Sequence, residues 1–456
     1  MEIIILSKEK VKPSKPTPPN LRNHKRCLFD QLVHETCISP IFFYNNTKKS
    51  LSEINNANII DNRLKNSLSE TLTLFYPLAG ELSSKNSTFV DCNDNGVLYV
   101  EAHVKGVTLG EFLQNPDLPQ LIKFLPQNAS MGSKMNYVQI LETPVSVQVT
   151  RFDCGGVAIG GVLLHDLLDG ATMSKFFNTW AMIARGDDDG IEKITTLDFT
   201  SSSLLFPNQN LPQNFLETRN ALLFNEEKSL LRRFVFNAIA IEAIKMKVSS
   251  ENVPNPTRIE ALTTFISKHM ISATRGVKEI SSRPICMVTH IVNLRSKIYP
   301  QLLNAFGNLI FLAKSDYIEM TEVKLPHLMG IVREMFGDIN SENVKALLEG
   351  DNALDFVLDM ATQVGKLLPV LDTYKFSSWC NLGLYDVDFG WGKPIFVAPF
   401  MDTIGSLNKQ QIILVENGRN DGIEAWIVRN NEEMLELEND EEFLAYASLN
   451  PSVHVP

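Results

Sequence analysis

The sequence predicts a chain of two domains that mixes strands and helices, and three observations carry that reading. Its 456 residues exceed what one hydrophobic core usually organises. A strand, turn and helix pattern over 145–186 gives way to a stretch, 187–232, that loses periodicity. Beyond it, strand-like and helix-like segments resume. We therefore expect a first domain over 1–195, a crossover over 196–232 and a second domain over 233–456, with the segment around 385–405 packing back onto the first.

Composition narrows the class. With 44% hydrophobic and 21% charged residues the chain is an ordinary globular protein. A net charge of −11 argues against nucleic acid or an anionic membrane as partner, since either wants a basic face. Six cysteines (Cys27, Cys37, Cys92, Cys154, Cys286, Cys380) show no Cys-x-x-Cys spacing, which disfavours a disulfide framework or a zinc site. The apolar start Ile3-Ile4-Ile5-Leu6 is too short for a signal-peptide core, and no stretch approaches a membrane span. A reducing, cytoplasmic setting fits, so the sequons at Asn45, Asn86 and Asn128 would be unused.

The elements follow in order. Proline at 13, 16, 18 and 19 makes the lead-in over 11–19 extended. Ile60, Leu64, Leu68, Leu72 and Phe75 recur at helical spacing and stop at Tyr76-Pro77. Val145, Val147 and Val149 alternate, the pattern breaks at Asp153-Cys154-Gly155-Gly156, and an apolar run then reaches Leu164, which predicts a β-hairpin with a buried second strand. Met173, Phe176, Phe177, Trp180 and Ile183 mark one face of a helix that Gly186 closes. In the second half Arg233–Phe236 is strand-like, and Thr257-Arg258-Ile259-Glu260 is a capping box opening a helix through His269. Further strands are expected over Cys286–Leu294, Ile412–Val415 and Ile423–Val428, the last two joined by a turn over Gly418–Gly422. An acidic helix with a wet face should close the chain, from about Glu432 to Ala447.

Two motifs stand out on this frame. His165-Asp166-Leu167-Leu168-Asp169-Gly170 falls on the strand-to-helix turn, where a rigid scaffold exposes side chains. His165 is either a structural histidine at a strand end or a general base, its ordinary pKa near 6.5 suiting it to take and return a proton. The second motif, Asp388-Phe389-Gly390-Trp391-Gly392, is far rarer than a His-x-x-x-Asp. A protein-kinase reading of its Asp-Phe-Gly fails, because the chain has neither the glycine-rich loop nor the His-Arg-Asp catalytic loop. The cluster Asp187 to Asp189 lacks the later glutamate of a calcium loop and is a solvated linker.

Together the two motifs resemble the BAHD acyltransferases, which move an acyl group from coenzyme A onto an alcohol or amine. The likeness extends to Phe75-Tyr76-Pro77-Leu78-Ala79-Gly80, Val90-Asp91-Cys92-Asn93-Asp94-Asn95-Gly96, Phe152-Asp153-Cys154-Gly155-Gly156 and the run from Ser377 to Pro394. Its wording is nearest the alkaloid-acetylating branch. The malonyl-transferring signature Tyr-Phe-Gly-Asn-Cys is broken here to Ala305-Phe306-Gly307-Asn308-Leu309, so acetyl-CoA is the expected donor.

The resemblance implies an α/β, two-domain, chloramphenicol-acetyltransferase-like fold with mixed sheets, flanking helices and an active-site channel between domains. It also implies that His165 is the general base, and that Asp169 turns away to pair with Arg295 instead of orienting the imidazole as in a hydrolase triad. Asp388, Gly390, Trp391 and Gly392 would be structural. Ser377 and Trp379 would line the reaction centre and face the oxyanion, against the alternative that Trp379 is plain core. Thr257 and Arg258, at the positive end of their helix, would receive coenzyme A phosphates, or else merely start the helix. No metal is expected, and the partners are acyl-CoA and a small alcohol, with the protein acting as a monomer. Two rivals are a metal phosphohydrolase, which shares the His165-Asp166 dipeptide, and a non-catalytic binding protein.

Overall fold

The computed structural model describes all residues except 34–35, 46–56, 83–87, 127–142, 188–196, 214, 218–228, 278–283, 299, 321–322, 341–343, 345–351, 368, 402–410, 419–421 and 456. Asn86, Asn128, Asp188 and Asp189, and parts of the expected crossover, of the 385–405 segment and of the 418–422 turn, lie outside the described residues. Apolar runs that alternate or stay buried form two mixed sheets. The first uses β1 (Glu2–Val11), β2 (Pro40–Tyr44), β3 (Val97–Lys105), β4 (Val145–Phe152) and β5 (Val157–Leu164). The second uses β6 (Ser229–Phe236), β7 (Ile285–Asn293), β8 (Ile310–Lys314), β9 (Leu371–Ser378), β11 (Gln411–Glu416) and β12 (Ile423–Asn430). Between β9 and β11 in the chain comes β10 (Phe396–Pro399), which leaves the second sheet and pairs antiparallel with β2.

The first sheet runs β1-β3-β4-β5-β2-β10, and the second β8-β7-β9-β11-β12-β6. The hairpin is β4 and β5, antiparallel from Val145 opposite Leu163 to Arg151 opposite Val157. All eight residues of β5 are buried, as the unbroken apolar run requires.

Helices cover the sheets. α1 (Ala57–Leu74) buries Leu64, Leu68 and Leu72, and α2 (Gly170–Arg185) buries Met173, Phe176, Phe177 and Trp180. Trp180 Nε1 donates to Leu64 O at 3.0 Å, tying the two helices. In the second half α3 (Ala238–Val248), α4 (Arg258–Val277) and α5 (Leu325–Gly337) pack on one face of the sheet, with Phe376, Ile412, Leu414 and Ile427. The opposite face, through Ile413, Val415, Trp426, Val428 and Leu231, joins the core of the first sheet. One apolar core therefore spans both sheets. Among the described residues no helix is long and apolar enough to cross a membrane.

Several elements differ from expectation. The apolar start, for which no element is expected, is an edge strand, β1, with Ile4, Ile5 and Leu6 exposed. α4 continues past His269 to Val277, because Met270, Ile271 and Ala273 carry on its buried face. The acidic C-terminal helix is two helices, α6 (Asn431–Glu438) and α7 (Glu441–Leu444). Asp440 breaks it by accepting the Phe443 N–H at 2.9 Å as the cap of α7. Nor is its face wholly wet: Glu433 is fully buried against Arg429, and Met434 and Leu437 are core. Strand β9, carrying Ser377, was not anticipated, since Asp372, Lys375 and two serines break any apolar period.

The Asp-Phe-Gly-Trp-Gly motif is a turn docked on the far end of α2. Asp388 Oδ1 accepts the N–H groups of Gly390 and Gly392 at 2.7 and 2.9 Å, and both glycines sit at φ +96°, where a side chain is strained. Arg185 donates to Asp388 O at 3.1 Å and Arg63 to Phe389 O at 3.0 Å. The Phe389 ring meets Trp180 edge-on at 4.9 Å. A 16-residue helix is about 24 Å long, so this turn is remote from the His165 end of α2. Phe389→Ala should cost about 3–5 kcal/mol, the usual effect of emptying a buried aromatic site. A urea unfolding midpoint equal to that of the parent chain would refute the docking role.

Candidate active site

His165 follows β5 directly and opens the turn that ends at α2. Its backbone N–H donates to Thr36 O at 2.8 Å, extending the sheet pairing one residue beyond Leu164. The ring Nδ1 lies 3.1 Å from Leu168 O. A carbonyl can only accept, so Nδ1 carries the hydrogen and Nε2 presents its lone pair. His165 as a residue is partly buried. Burial lowers its pKa, opposed by Asp169, the Leu168 carbonyl and Asn308.

The turn is held by two buried arginine–aspartate pairs. Asp169 Oδ1 caps α2 by accepting the Thr172 N–H at 3.0 Å, and Oδ2 accepts Arg295 Nη1 at 2.6 Å and the Leu309 N–H at 3.0 Å. Burial alone would raise the Asp169 carboxyl, but Arg295 and these N–H groups hold it below its ordinary value. Arg295 also donates to Ala305 O, Gly307 O and Thr172 Oγ1 at 2.9–3.2 Å. On the other side, Arg26 Nη2 donates to Asp166 O at 2.8 Å and lies 3.3 Å from Asp166 Oδ2. The second residue of the His-Asp dipeptide is thereby paired with a cation.

Sequence reasoning missed Arg26, Asp30 and Asn308. Asn308 Nδ2 reaches the His165 carbonyl at 2.7 Å and Asp30 Oδ1 at 2.9 Å. The segment 305–309 was noticed only as a broken signature, and its asparagine was the available signal. Arg26 and Asp30 follow the expected extended lead-in and carry no local pattern.

The remaining candidates divide. Ser377 sits on β9 between Ile291 of β7 and Ile413 of β11, on the face that joins the first core. Trp379, just beyond, is 8% exposed, belongs to that core and donates its backbone N–H to Leu414 O at 2.8 Å. Among the described residues no hydrogen bond joins either to His165. Thr257 and Glu260 form the reciprocal cap of α4, at 2.7 and 3.2 Å, so the helix uses one of its own first amides. Arg258 begins α4 near Cys380, whose thiol burial pushes up to about 11 while that guanidinium opposes the rise. Asp388, Gly390, Trp391 and Gly392 lie apart from this cluster. A surface cleft lined by Asn23, Lys25, Thr88 and Asn208 shares Arg26 with the turn but contains neither His165 nor Trp379.

A Transferase family model matches residues 1–444. Akuammiline synthase 2 of Alstonia scholaris is 38% identical over 459 residues, covering 99% of this chain and 98% of that protein. Limonoid 7-O-acetyltransferase of Citrus sinensis is 36% identical over 470 residues, covering 99% of each. A crystal structure of vinorine synthase aligns with a TM-score of 0.81 at 31% identity, over 98% of this chain and 99% of that one. The fold is thus the two-domain one of mixed sheets and helices expected from the motifs. The chain belongs to the Transferase family, the BAHD acyltransferases, and is an acyltransferase whose similar relatives include alkaloid acetyltransferases.

Proposed function

We propose that this enzyme acetylates a hydroxyl of a specialised plant metabolite, foremost an alkaloid, by direct transfer from acetyl-CoA. The observation that carries the reading is the state of His165: Nδ1 is committed to Leu168 O, and Nε2 is left as a base where the two halves meet. Nε2 takes the acceptor's proton as its oxygen attacks the thioester carbon. The tetrahedral oxyanion is steadied by the Ser377 hydroxyl and the Trp379 indole N–H. The C–S bond then breaks, and the imidazolium returns the proton to the thiolate. Neither a metal nor a covalent acyl-enzyme takes part. Coenzyme A phosphates meet Arg258 and the positive end of α4. The enzyme acts as a cytoplasmic monomer, with no nucleic acid or membrane partner.

The likeness to a limonoid acetyltransferase over the whole chain supports a second reading of the acceptor, a terpenoid alcohol. Purified enzyme with acetyl-CoA, tested against alkaloid, terpenoid and phenolic alcohols by thiol release, separates the two. Turnover that a chelator abolishes would favour the metal hydrolase instead, and acetyl-CoA binding without turnover of any alcohol the non-catalytic reading.

His165→Ala should lose about 10²–10⁴-fold in kcat while remaining folded. Since burial lowers the imidazole pKa, the base form persists in mild acid, and the acid limb of kcat/KM should inflect below the ordinary histidine value of about 6.5. An inflection above that value points to another group.

Asp169→Ala and Arg295→Ala should each cost about 3–5 kcal/mol, because each strands a buried charge. The carboxyl titrates lower in the folded state than in the unfolded one, so the stabilisation is complete above about pH 4 and disappears as pH falls through the lowered value. Strictly additive losses in a double-mutant cycle would show that the pair is not coupled.

Trp379→Phe keeps the ring and deletes the N–H, so it should lower kcat by about 10²–10³-fold. Ser377→Ala on the same background should deepen the loss. A change confined to KM would make Trp379 a wall of the acceptor pocket, and a double mutant with full kcat would move the oxyanion hole to backbone amides.

A further inference from the structure

In this turn the aspartate of the motif is bound to Arg295 and only partly available to the imidazolium that forms during transfer, so a further partner would matter. Asn308 stands beside it. The amide is fully buried, and its orientation follows from its neighbours. Asp30 Oδ1 accepts the Asn308 backbone N–H at 2.8 Å, and Asp30 Oδ2 accepts the Cys27 N–H at 2.8 Å. Each carboxylate oxygen thus faces a fixed N–H donor, while burial raises that carboxyl. The side-chain atom of Asn308 that lies 2.7 Å from His165 O meets a carbonyl, which can only accept, and so must be the NH₂ group; the same atom is 2.9 Å from Asp30 Oδ1. By elimination the carbonyl Oδ1 is the other end, and it is buried with no hydrogen-bond partner among the described residues.

We infer that Asn308 is a positioning residue for the general base: Asp30 locks its amide so that NH₂ pins the His165 backbone and the Oδ1 dipole stabilises the imidazolium. The inference rests on His165 being the base. A buried carbonyl dipole that points nowhere else is costly unless a positive charge appears near it. The effect of Asn308 on the ring has the sign this requires, favouring the protonated form. The charged groups around the ring are Asp169 with Arg295, Asp166 with Arg26, and Asp30. Both aspartates of the turn are paired with guanidinium groups, and the neutral amide adds to what Asp169 and the Leu168 carbonyl contribute toward the protonated ring. A carboxylate there would bind the proton too tightly to release it to a thiolate.

The test follows the His165 ring itself by NMR titration of the folded, full-length enzyme with labelled histidine, its signal assigned by loss in His165→Gln. In Asn308→Ala the imidazole should titrate about half to one pH unit lower than in the parent, and kcat with acetyl-CoA and the best acceptor alcohol should fall about tenfold, the worth of one neutral hydrogen bond. A merely structural asparagine would lower the melting temperature and leave the titration in place, and that result overturns the inference. If Asn308→Ala does not fold, Asp30→Asn is read instead: a donor at position 30 lets the amide turn over, so a smaller shift in the same direction is expected and an unchanged titration refutes the lock. Full turnover in His165→Ala would sink the base itself, whatever Asn308 does to the titration.

Discussion

The geometry of this site hangs on the buried pair between Asp169 and Arg295. The carboxylate starts α2 through the Thr172 N–H and holds the Leu309 N–H, so one side chain fixes both the helix and the strand entry opposite it. The guanidinium spends its donors on Asp169, Thr172 and the carbonyls of residues 305 and 307, shaping the segment that carries Asn308. Burying two charges recovers little net stability, since desolvation opposes the attraction. What the pair contributes is position: with either partner absent, neither the turn nor the 305–309 segment has a reason to adopt this conformation.

This arrangement separates orientation from basicity. In a hydrolase triad a carboxylate performs both tasks for the histidine. Here a neutral carbonyl, Leu168 O, sets the tautomer, and burial keeps the imidazole a weaker base than in water. Under the proposed mechanism the leaving group would make that tolerable. A thiolate whose parent thiol titrates near 8.5, as free cysteine does, would readily take a proton from an imidazolium of lowered pKa, so the second half of that reaction would gain what the first half loses.

Much of the first half was legible because its signals are local. The hairpin, the turn and α2 follow from alternation, a glycine break and a helical stripe, and His165 and Asp169 fall out of them with the resemblance to relatives. What stayed hidden depends on contacts that no period reports. Asn308 meets Asp30 across 278 residues and Arg26 meets Asp166 across 140. β10 is four residues long and recognisable only by the strand it joins. β9 defeats pattern reading because one face is core and the other presents Lys375 and Ser377 toward the first sheet's side.

The two motifs that first marked the chain occupy opposite ends of one rod. α2 begins at Asp169 and ends at Gly186, in the left-handed conformation that closes a helix. At its start it is gripped by Arg295 and Gly307 O, and at its end by the turn at 388–392 through Arg185 and the Trp180 ring. Both grips come from the second half of the sequence. α2 is also held along its length by α1 and the Phe75 that follows it, through Trp180 Nε1 on Leu64 O and the Phe75–Phe176 ring contact. The remote Asp-Phe-Gly-Trp-Gly turn therefore adds a grip at the far end of a helix already anchored at its start and middle. With His165 as the proposed base, a shift of one ångström at a reacting group costs orders of magnitude in rate, which would give a motif distant from it a physical stake in the chemistry.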